Sequence, residues 1–471
     1  MSPTHSRPKP LVLIVLDGWG IREESEGNAI AQAQTPYYDS LTSSYPMALL
    51  ETCGESVGLP EGKAGNSETG HMNIGAGYIV EQDVMRISHQ IRSGDFFENT
   101  ELHAVADHVK QNQSSLHIMG LLSKANVHSE YTHLLALIDF AKKQQIENLY
   151  IHVFTDGRDS PPSEGIENII HLTDYLEENQ IGAIASIVGR YYAMDRDKRW
   201  DRTKLAYDLL TQGTGTKETD LSEAMHHAYD RGETDEFIKP IVMTDAQGSP
   251  LTTIKENDAV IFFNFRTDRP RQLTQAFVRD EFTEFERDVR PNNISYTTMT
   301  EYQKDVTVSH VLYPPFHVKN PFAKVISEHG LKQLHMAETE KVAHVTYFFN
   351  GGNEDPFEGE ERIHIPSNRE VATYDQAPEM KAKEITDAAV EAIKEDRFDF
   401  ILINYANADM VAHSGNIQAT IHAVETLDHQ LKRLIPLILN SDGVVAITSD
   451  HGNAEVLFNV ERNEIDTEHN V

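Results

Sequence analysis

Leu11-Val-Leu-Ile-Val-Leu-Asp17 is a run of six aliphatic residues closed by an aspartate. Six residues after the polar, proline-rich start MSPTHSRPKP make neither a signal peptide nor a membrane span. They fit a strand buried on both faces of a parallel sheet. The pattern returns in FDFILINYANAD (residues 398–409) and VVAITSDH (residues 444–451), and each run carries an aspartate at or next to its end. Ligands of open parallel sheets bind beyond the carboxyl ends of the strands, so Asp17, Asp409 and Asp450 are expected at one site. Between the last two runs, Ile417, Ile421, Val424, Leu427, Leu431, Leu434 and Ile438 recur at helical spacing. The alternation predicts an α/β domain.

At 471 residues the chain exceeds a single hydrophobic core. Its middle has an alternation of its own, with strands expected over residues 116–122, 149–154, 181–189 and 258–265. The pattern breaks softly near residues 80–85 and again near 313–317, where Pro314 and Pro315 interrupt it. A central domain over 83–316 is therefore expected as an insertion in a domain made of 1–82 and 317–471, with the two chain crossings as a hinge. Lys and Arg number 41 against 74 Asp and Glu, a net charge of −33, which argues against nucleic acid or an anionic membrane surface as partner. An anionic substrate must then be captured by a local cluster. The single cysteine, Cys53, permits no internal disulfide and suits a reducing cytoplasm.

The stretch GLPEGKAGNSETGHMNIGAG (residues 58–77) brings Ser67 to the start of a helix. A hydroxyl there lies beside unpaired backbone N–H groups that favour phosphate, as a nucleophile requires. The same residues also fit an ordinary helix cap. Asp409 and His413 stand four apart, on one helical face, while Asp450-His451 closes a strand and His469 lies near the C-terminus. Taken with Asp17 and Ser67, these residues suit two divalent ions serving phosphoryl chemistry. The lack of thiolate ligands points to Mn²⁺ or Zn²⁺ rather than a soft metal. Five arginines, Arg158, Arg190, Arg196, Arg266 and Arg269, sit in GRD, GRYYAMDR and NFRTDR. Their planar forks match phosphate and carboxylate, although any one of them alone would equally fit a surface ion pair.

The segments LVLIVLDGWG, GNSETGHMNIGAG, LLSKANVHSE, FTDGRDSPP, GRYYAMDRDKRW, NFRTDRPRQ, AETEKVAHVTYFFNGG, VATYDQAPEM, NYANADMVAHSG and TSDHGNAE resemble, in order, those of cofactor-independent phosphoglycerate mutase. Ten such segments over nearly the whole chain are far more specific than one glycine pattern. The resemblance implies the alkaline-phosphatase superfamily: a parallel-sheet phosphatase-like domain with an inserted α/β transferase domain. It implies that Ser67 becomes phosphoserine, that Asp17, Ser67, Asp450 and His451 hold one Mn²⁺, and that Asp409, His413 and His469 hold the other, with Zn²⁺, Co²⁺ or Mg²⁺ as alternatives. His128, Arg158, Asp159, Arg190, Arg196, Arg266 and Arg269 match the family's substrate positions. Lys341 matches its lysine near the transferring phosphoryl group.

The implied reaction interconverts 3-phosphoglycerate and 2-phosphoglycerate in glycolysis and gluconeogenesis, without bisphosphoglycerate, in a cytoplasmic monomer. In it Asp159 handles a hydroxyl proton of the glycerate and His128 assists at the phosphate. The rival expectations are a metal-dependent phosphatase of the same superfamily and a truncated, non-catalytic binder. Three departures from the family pattern bear on these expectations: Lys124-Ala125-Asn126 stands where a glycine pair is usual, Ala408 and Ala412 replace residues that are usually proline or glycine, and the chain stops at Val471, where relatives continue. His469 is expected to fray so near a terminus, weakening the second metal site.

Overall fold

The computed structural model describes residues 7–459 and 463–470, so Met1 to Ser6 of the polar start and Val471 lie outside the described residues. The chain divides into two compact units, one formed by Met1–Gln82 with Phe316–Val471 and the other by Asp83–Pro315. Both units are α/β, each built on one large, mainly parallel sheet, and a small antiparallel pair, Phe458–Asn459 with Glu464–Ile465, stands apart from them.

In the first unit the five-stranded sheet has the order Glu360–Ile365, Gln333–Glu338, Phe400–Tyr405, Leu11–Leu16, Val444–Thr448, with every pair parallel. The strand Leu11–Leu16 lies between two strands from the far end of the sequence, with Leu16 opposite Tyr405 and Leu11 opposite Val444. Val12, Ile14 and Leu16 pack on one face with Leu427, Leu431 and Leu434 of the helix Ile417–Asn440. Val15 packs on the other face with Phe349, Phe400 and Leu402. Burial on both faces explains why this strand reads as an unbroken apolar run.

Parallel register brings the carboxyl ends of these strands to one edge. Asp17 follows its strand directly, and Asp450 comes two residues after Thr448. The run expected to reach Asp409 as strand ends at Tyr405 instead and turns into the helix Asn407–Ala412, which carries Asp409 in its first turn. Lys341 follows the strand Gln333–Glu338 on a short 3-10 turn. Every one of these residues lies where a parallel sheet presents its ligands.

The second unit has an eight-stranded sheet in the order Thr216–Glu218, Ile241–Met243, Ala183–Gly189, Leu149–Thr155, Leu116–Leu122, Ala259–Phe262, Ser295–Thr300, His310–Tyr313. The pair formed by Ile241–Met243 and Ala183–Gly189 is antiparallel. Two of the strands expected from sequence are shorter than expected, Ala183–Gly189 and Ala259–Phe262. The core has two layers. Ile118, Leu122, Ile151 and Ile187 pack with Leu134, Leu137 and Leu172 on one side, and Met119, Phe154, Val188 and Phe262 pack with Leu210 and Leu273 on the other. Beyond the strand Leu116–Leu122, Asn126 has φ 58°, so asparagine supplies the left-handed turn for which glycine is the default.

Candidate active site

In the first unit, Ser67 opens the helix Ser67–Ala76, and Asn66, not Ser67, is its cap, accepting from the Thr69 N–H at 2.9 Å. The Ser67 hydroxyl is thereby spared for other partners. Its Oγ donates to Asp17 Oδ1 at 3.1 Å, lies 2.9 Å from His451 Nε2, and accepts from Lys341 Nζ at 2.6 Å. The ammonium of Lys341 also donates to Asp17 Oδ1 at 2.7 Å and to Asp409 Oδ2 at 2.6 Å. Lys341 is only 4% exposed, so this charge is held inside the site.

Glycines make this closeness possible. A Cβ on Gly70 would sit 2.5 Å from the Asp450 carbonyl oxygen, and one on Gly18, at φ +71°, 2.7 Å from Asp409 Cα. Both positions leave the ligand-bearing loops no room for a side chain.

Burial alone would raise the pKa of Asp17, yet it lies well below the usual carboxylate range, because Lys341 and His451 face it. Asp409 is likewise held low against its burial, by Lys341 and by His413 and His469. The same charges act back on their partners. Lys341 is pushed up by Asp17 and Asp409 although desolvation opposes it, and His451 is pushed up to about 10 against its burial, chiefly by Asp450 and Asp17. The pocket therefore favours positive charge among its carboxylates.

The donor set fits divalent cations. His413 Nδ1 faces the Thr467 carbonyl at 2.8 Å and His469 Nδ1 faces that of Gly65 at 2.8 Å, so each Nδ1 carries a hydrogen and each Nε2 is the atom whose lone pair a cation would take. Those Nε2 atoms lie 3.3 and 3.2 Å from Asp409 Oδ1 and 3.3 Å from each other. Two imidazole lone pairs converging on one carboxylate oxygen suit a shared cation. Asp409, His451 and His469 offer ligand atoms within 4.8 Å of one another, and so do Asp17, His71 and Asp450. His451 Nε2 stands between the two groups, 3.3 Å from Asp17 Oδ1 and 4.0 Å from Asp409 Oδ1. His469 has its ring stacked on His451 at 3.9 Å, and its contacts with Asp409 and Gly65 hold it beside the other ligands.

The second unit gathers the remaining residues. Arg190 is buried and donates through Nη1 to Asp156 and Asp159, while its Nε and Nη2 find no hydrogen-bond partner among the described residues. Arg158 pairs with Glu236, Arg196 donates to Asp268 Oδ2 at 2.8 Å, and Arg266 Nε lies 3.4 Å from Asp268 Oδ1. Arg269 donates to the Met194 carbonyl at 3.2 Å, and its buried Nε has no hydrogen-bond partner among the described residues. Burial lowers the Arg269 pKa, and the neighbouring Arg190, Arg158 and Arg196 lower it further. Crowded guanidiniums with unspent donors make an anion site.

His128 lies within this cluster, its Nε2 3.8 Å from Asp159 Oδ2 and its Nδ1 3.5 Å from Asp268 Oδ1. Burial, and after it the charge of Arg190, pushes it down to about 4, so it is neutral at pH 7. The residues singled out from sequence thus form two clusters, one in each unit. The structure adds His71, Asn404 and Asn453 to the first and Asp156, Glu236 and Asp268 to the second. Asp156 and Asp268 stand inside the quoted motifs FTDGRD and NFRTDR, where the arginines drew the reading. The amides and His71 carry no pattern of their own.

Comparison with known proteins follows from this geometry. Residues 87–304 match the family model described as the BPG-independent PGAM N-terminus. Over 462 residues the chain is 50% identical to 2,3-bisphosphoglycerate-independent phosphoglycerate mutase 1 of Methanosarcina barkeri, covering 98% of this chain and 89% of that one. It is 49% identical over 448 residues to the 2,3-bisphosphoglycerate-independent phosphoglycerate mutase of Moorella thermoacetica, covering 95% and 86%. Among solved structures it is similar to phosphoglycerate mutase of Leishmania mexicana, crystallised at low cobalt concentration, with a TM-score of 0.61 and 29% identity over 99% of this chain and 89% of that one.

Proposed function

Since half-identity over nearly its whole length shows that this chain belongs to the 2,3-bisphosphoglycerate-independent phosphoglycerate mutases, a family of isomerases, we propose that it moves the phosphoryl group of phosphoglycerate by way of a phosphoserine on Ser67. The observation that carries the reading is the Ser67 hydroxyl, freed from capping and held within 3.1 Å of Lys341, His451 and Asp17. Asp17, Ser67, Asp450 and His451 would hold one divalent ion, and Asp409, His413 and His469 the other, Mn²⁺ being the ion that suits this oxygen and imidazole set. Such ions lower the pKa of a serine hydroxyl and neutralise phosphoryl oxygens.

Ser67 Oγ, its hydroxyl proton released to solvent beforehand, attacks phosphorus of 3-phosphoglycerate, the Oγ–P bond forms and the O3–P bond breaks; the second transfer breaks the Oγ–P bond and returns Ser67 to its starting state. Asp159 handles the proton that O3 of the leaving glycerate takes up. Lys341 offsets charge on the phosphoryl oxygens as they pass. Arg266, Arg269 and their neighbours keep the glycerate by its carboxylate while it reorients, with neutral His128 as a hydrogen-bonding partner. The 2-hydroxyl then attacks the phosphoserine and yields its proton to Asp159. The net change is a phosphoryl group moved from O3 to O2 and a proton moved from O2 to O3, with no bisphosphoglycerate. Water must be kept from the phosphoserine, since its attack would turn the mutase into a phosphatase. We place the enzyme in the cytoplasm as a monomer acting on a small molecule. No helix among the described residues is long and apolar enough to cross a membrane.

Phosphorus NMR with Mn²⁺ and 3-phosphoglycerate, beside a Ser67→Ala control, tests the mechanism. Growth of 2-phosphoglycerate without free phosphate, abolished in the control, is expected. Sustained phosphate release would mean a phosphatase, and no turnover would mean a binder.

A further inference from the structure

His71 is fully buried one helical turn after Ser67, and none of the steps above uses it. Its Nδ1 lies 2.9 Å from the Ser67 carbonyl oxygen and 3.1 Å from Asp450 Oδ2. A carbonyl oxygen only accepts, so Nδ1 carries the hydrogen and Nε2 faces the other way. The opposite nitrogen is also engaged. Asn404 Nδ2 approaches His71 Nε2 at 3.0 Å and donates to Asp17 Oδ2 at 2.7 Å, and that acceptor fixes which way the Asn404 amide points. A continuous hydrogen-bonded chain therefore runs from the Ser67 carbonyl through His71 and Asn404 to Asp17, while Asp450 Oδ2 lies against Nδ1 without a hydrogen bond of its own among the described residues.

The spacing of Asp17, His71 and Asp450 would by itself admit a cation. With both ring nitrogens committed, His71 has no lone pair left to ligate one. It ties Asp17, through Asn404, to the backbone of the nucleophile instead, with its ring edge against Asp450. We infer that His71 is a positioning residue for the Ser67-side metal, acting with Asn404 to set the direction of Asp17. This inference rests on the two-metal reading above. It separates the two ion sites, because the chain touches neither His413 nor His469, and Asp409 receives its own amide from Asn453 at 2.8 Å.

Removing a partner behind a metal ligand costs on the order of 10–100-fold in metal affinity. Co²⁺ titration of metal-free full-length protein, followed by visible absorption and calorimetry, reads both sites at once. His71→Leu is expected to weaken one of two binding events by that factor and to shift its absorption band, leaving the other event unchanged. His71→Asn keeps a donor at the Nδ1 position and is expected to recover part of the loss. Two events unchanged in His71→Leu would overturn the inference. So would both events weakening together with a matching drop in the melting midpoint of the metal-free variant, which would mark His71 as a packing residue. Wild-type protein showing fewer than two events would overturn the two-metal reading itself, and the role of His71 with it.

Discussion

Lys341 faces three oxygens at once, those of Asp17, Ser67 and Asp409, from inside a site that excludes solvent. Removing one partner of a buried ion pair costs about 3–5 kcal/mol, because the other charge stays behind. Lys341→Met is therefore expected to lower the unfolding free energy of chelator-treated protein by about that much, read by urea titration, and to abolish turnover. An unchanged midpoint would mean that the carboxylates do not depend on it. The buried imidazoles set a pH limit of a different kind. Burial pushes His133 down to about 3 and His335 to about 4, below the ordinary 6.5. Their contribution to stability is present above pH 6.5 and is lost as pH falls toward 4 and 3. Glu338 has the opposite sign: burial pushes it up to about 7 from 4.5, so its contribution is present below pH 4.5 and is lost as pH rises through 7. Between pH 4 and 6.5 the imidazoles should thus make urea midpoints fall as pH falls, while Glu338 opposes them from pH 4.5 up to about 7, so Glu338→Gln should steepen the acid fall and remove the decline just above pH 6.5.

At the scale of elements, the helix Ser67–Ala76 must approach the loop after Val444–Thr448 closely enough that Gly70 meets the Asp450 backbone. Gly70→Ala has good helix propensity and nowhere to put its methyl group. The expected result is a loss of about 1–3 kcal/mol in stability together with weaker Co²⁺ binding, measured on the same sample, and a stabilised variant would contradict the close approach. The strands that end just before Asp17 and Asp409 were legible because sheet-buried strands must be continuous apolar runs, whereas Val444–Thr448 reads the same way but is an edge strand, with no residue of it buried. Ser295–Thr300 was not legible, although all of SYTTMT is buried, since its threonines look like a loop. Thr216–Glu218 and Ile241–Met243 have three residues each, too few to show a period. The same limit applies to side chains. The histidines and aspartates of TSDHGNAE and NYANADMVAHSG stood out by type and spacing, whereas His71 and Asn404 gain their meaning only from groups hundreds of residues away.

The whole molecule is two units with separate cores, and the unit Asp83–Pro315 is one unbroken segment holding a complete eight-stranded sheet. Expressed alone, residues 83–315 are expected to melt cooperatively and to protect the amides of Leu116–Leu122 and Leu149–Thr155 from hydrogen exchange. A chain exchanging throughout would show that this unit needs the other in order to fold. The first unit cannot behave in that way. Its strand Leu11–Leu16 is flanked on both sides by strands beginning at Phe400 and Val444. On the ribosome that apolar strand emerges almost at once and waits, at about 5–20 residues per second, on the order of tens of seconds for its neighbours. Through that interval Leu11 to Leu16 are an unpaired sticky segment on a nascent chain, while the insertion has everything it needs to fold behind them. The order of synthesis therefore runs against the order of assembly, and a strand made hundreds of residues before both its neighbours is among the last to be secured, a natural target for a chaperone that reads short aliphatic stretches.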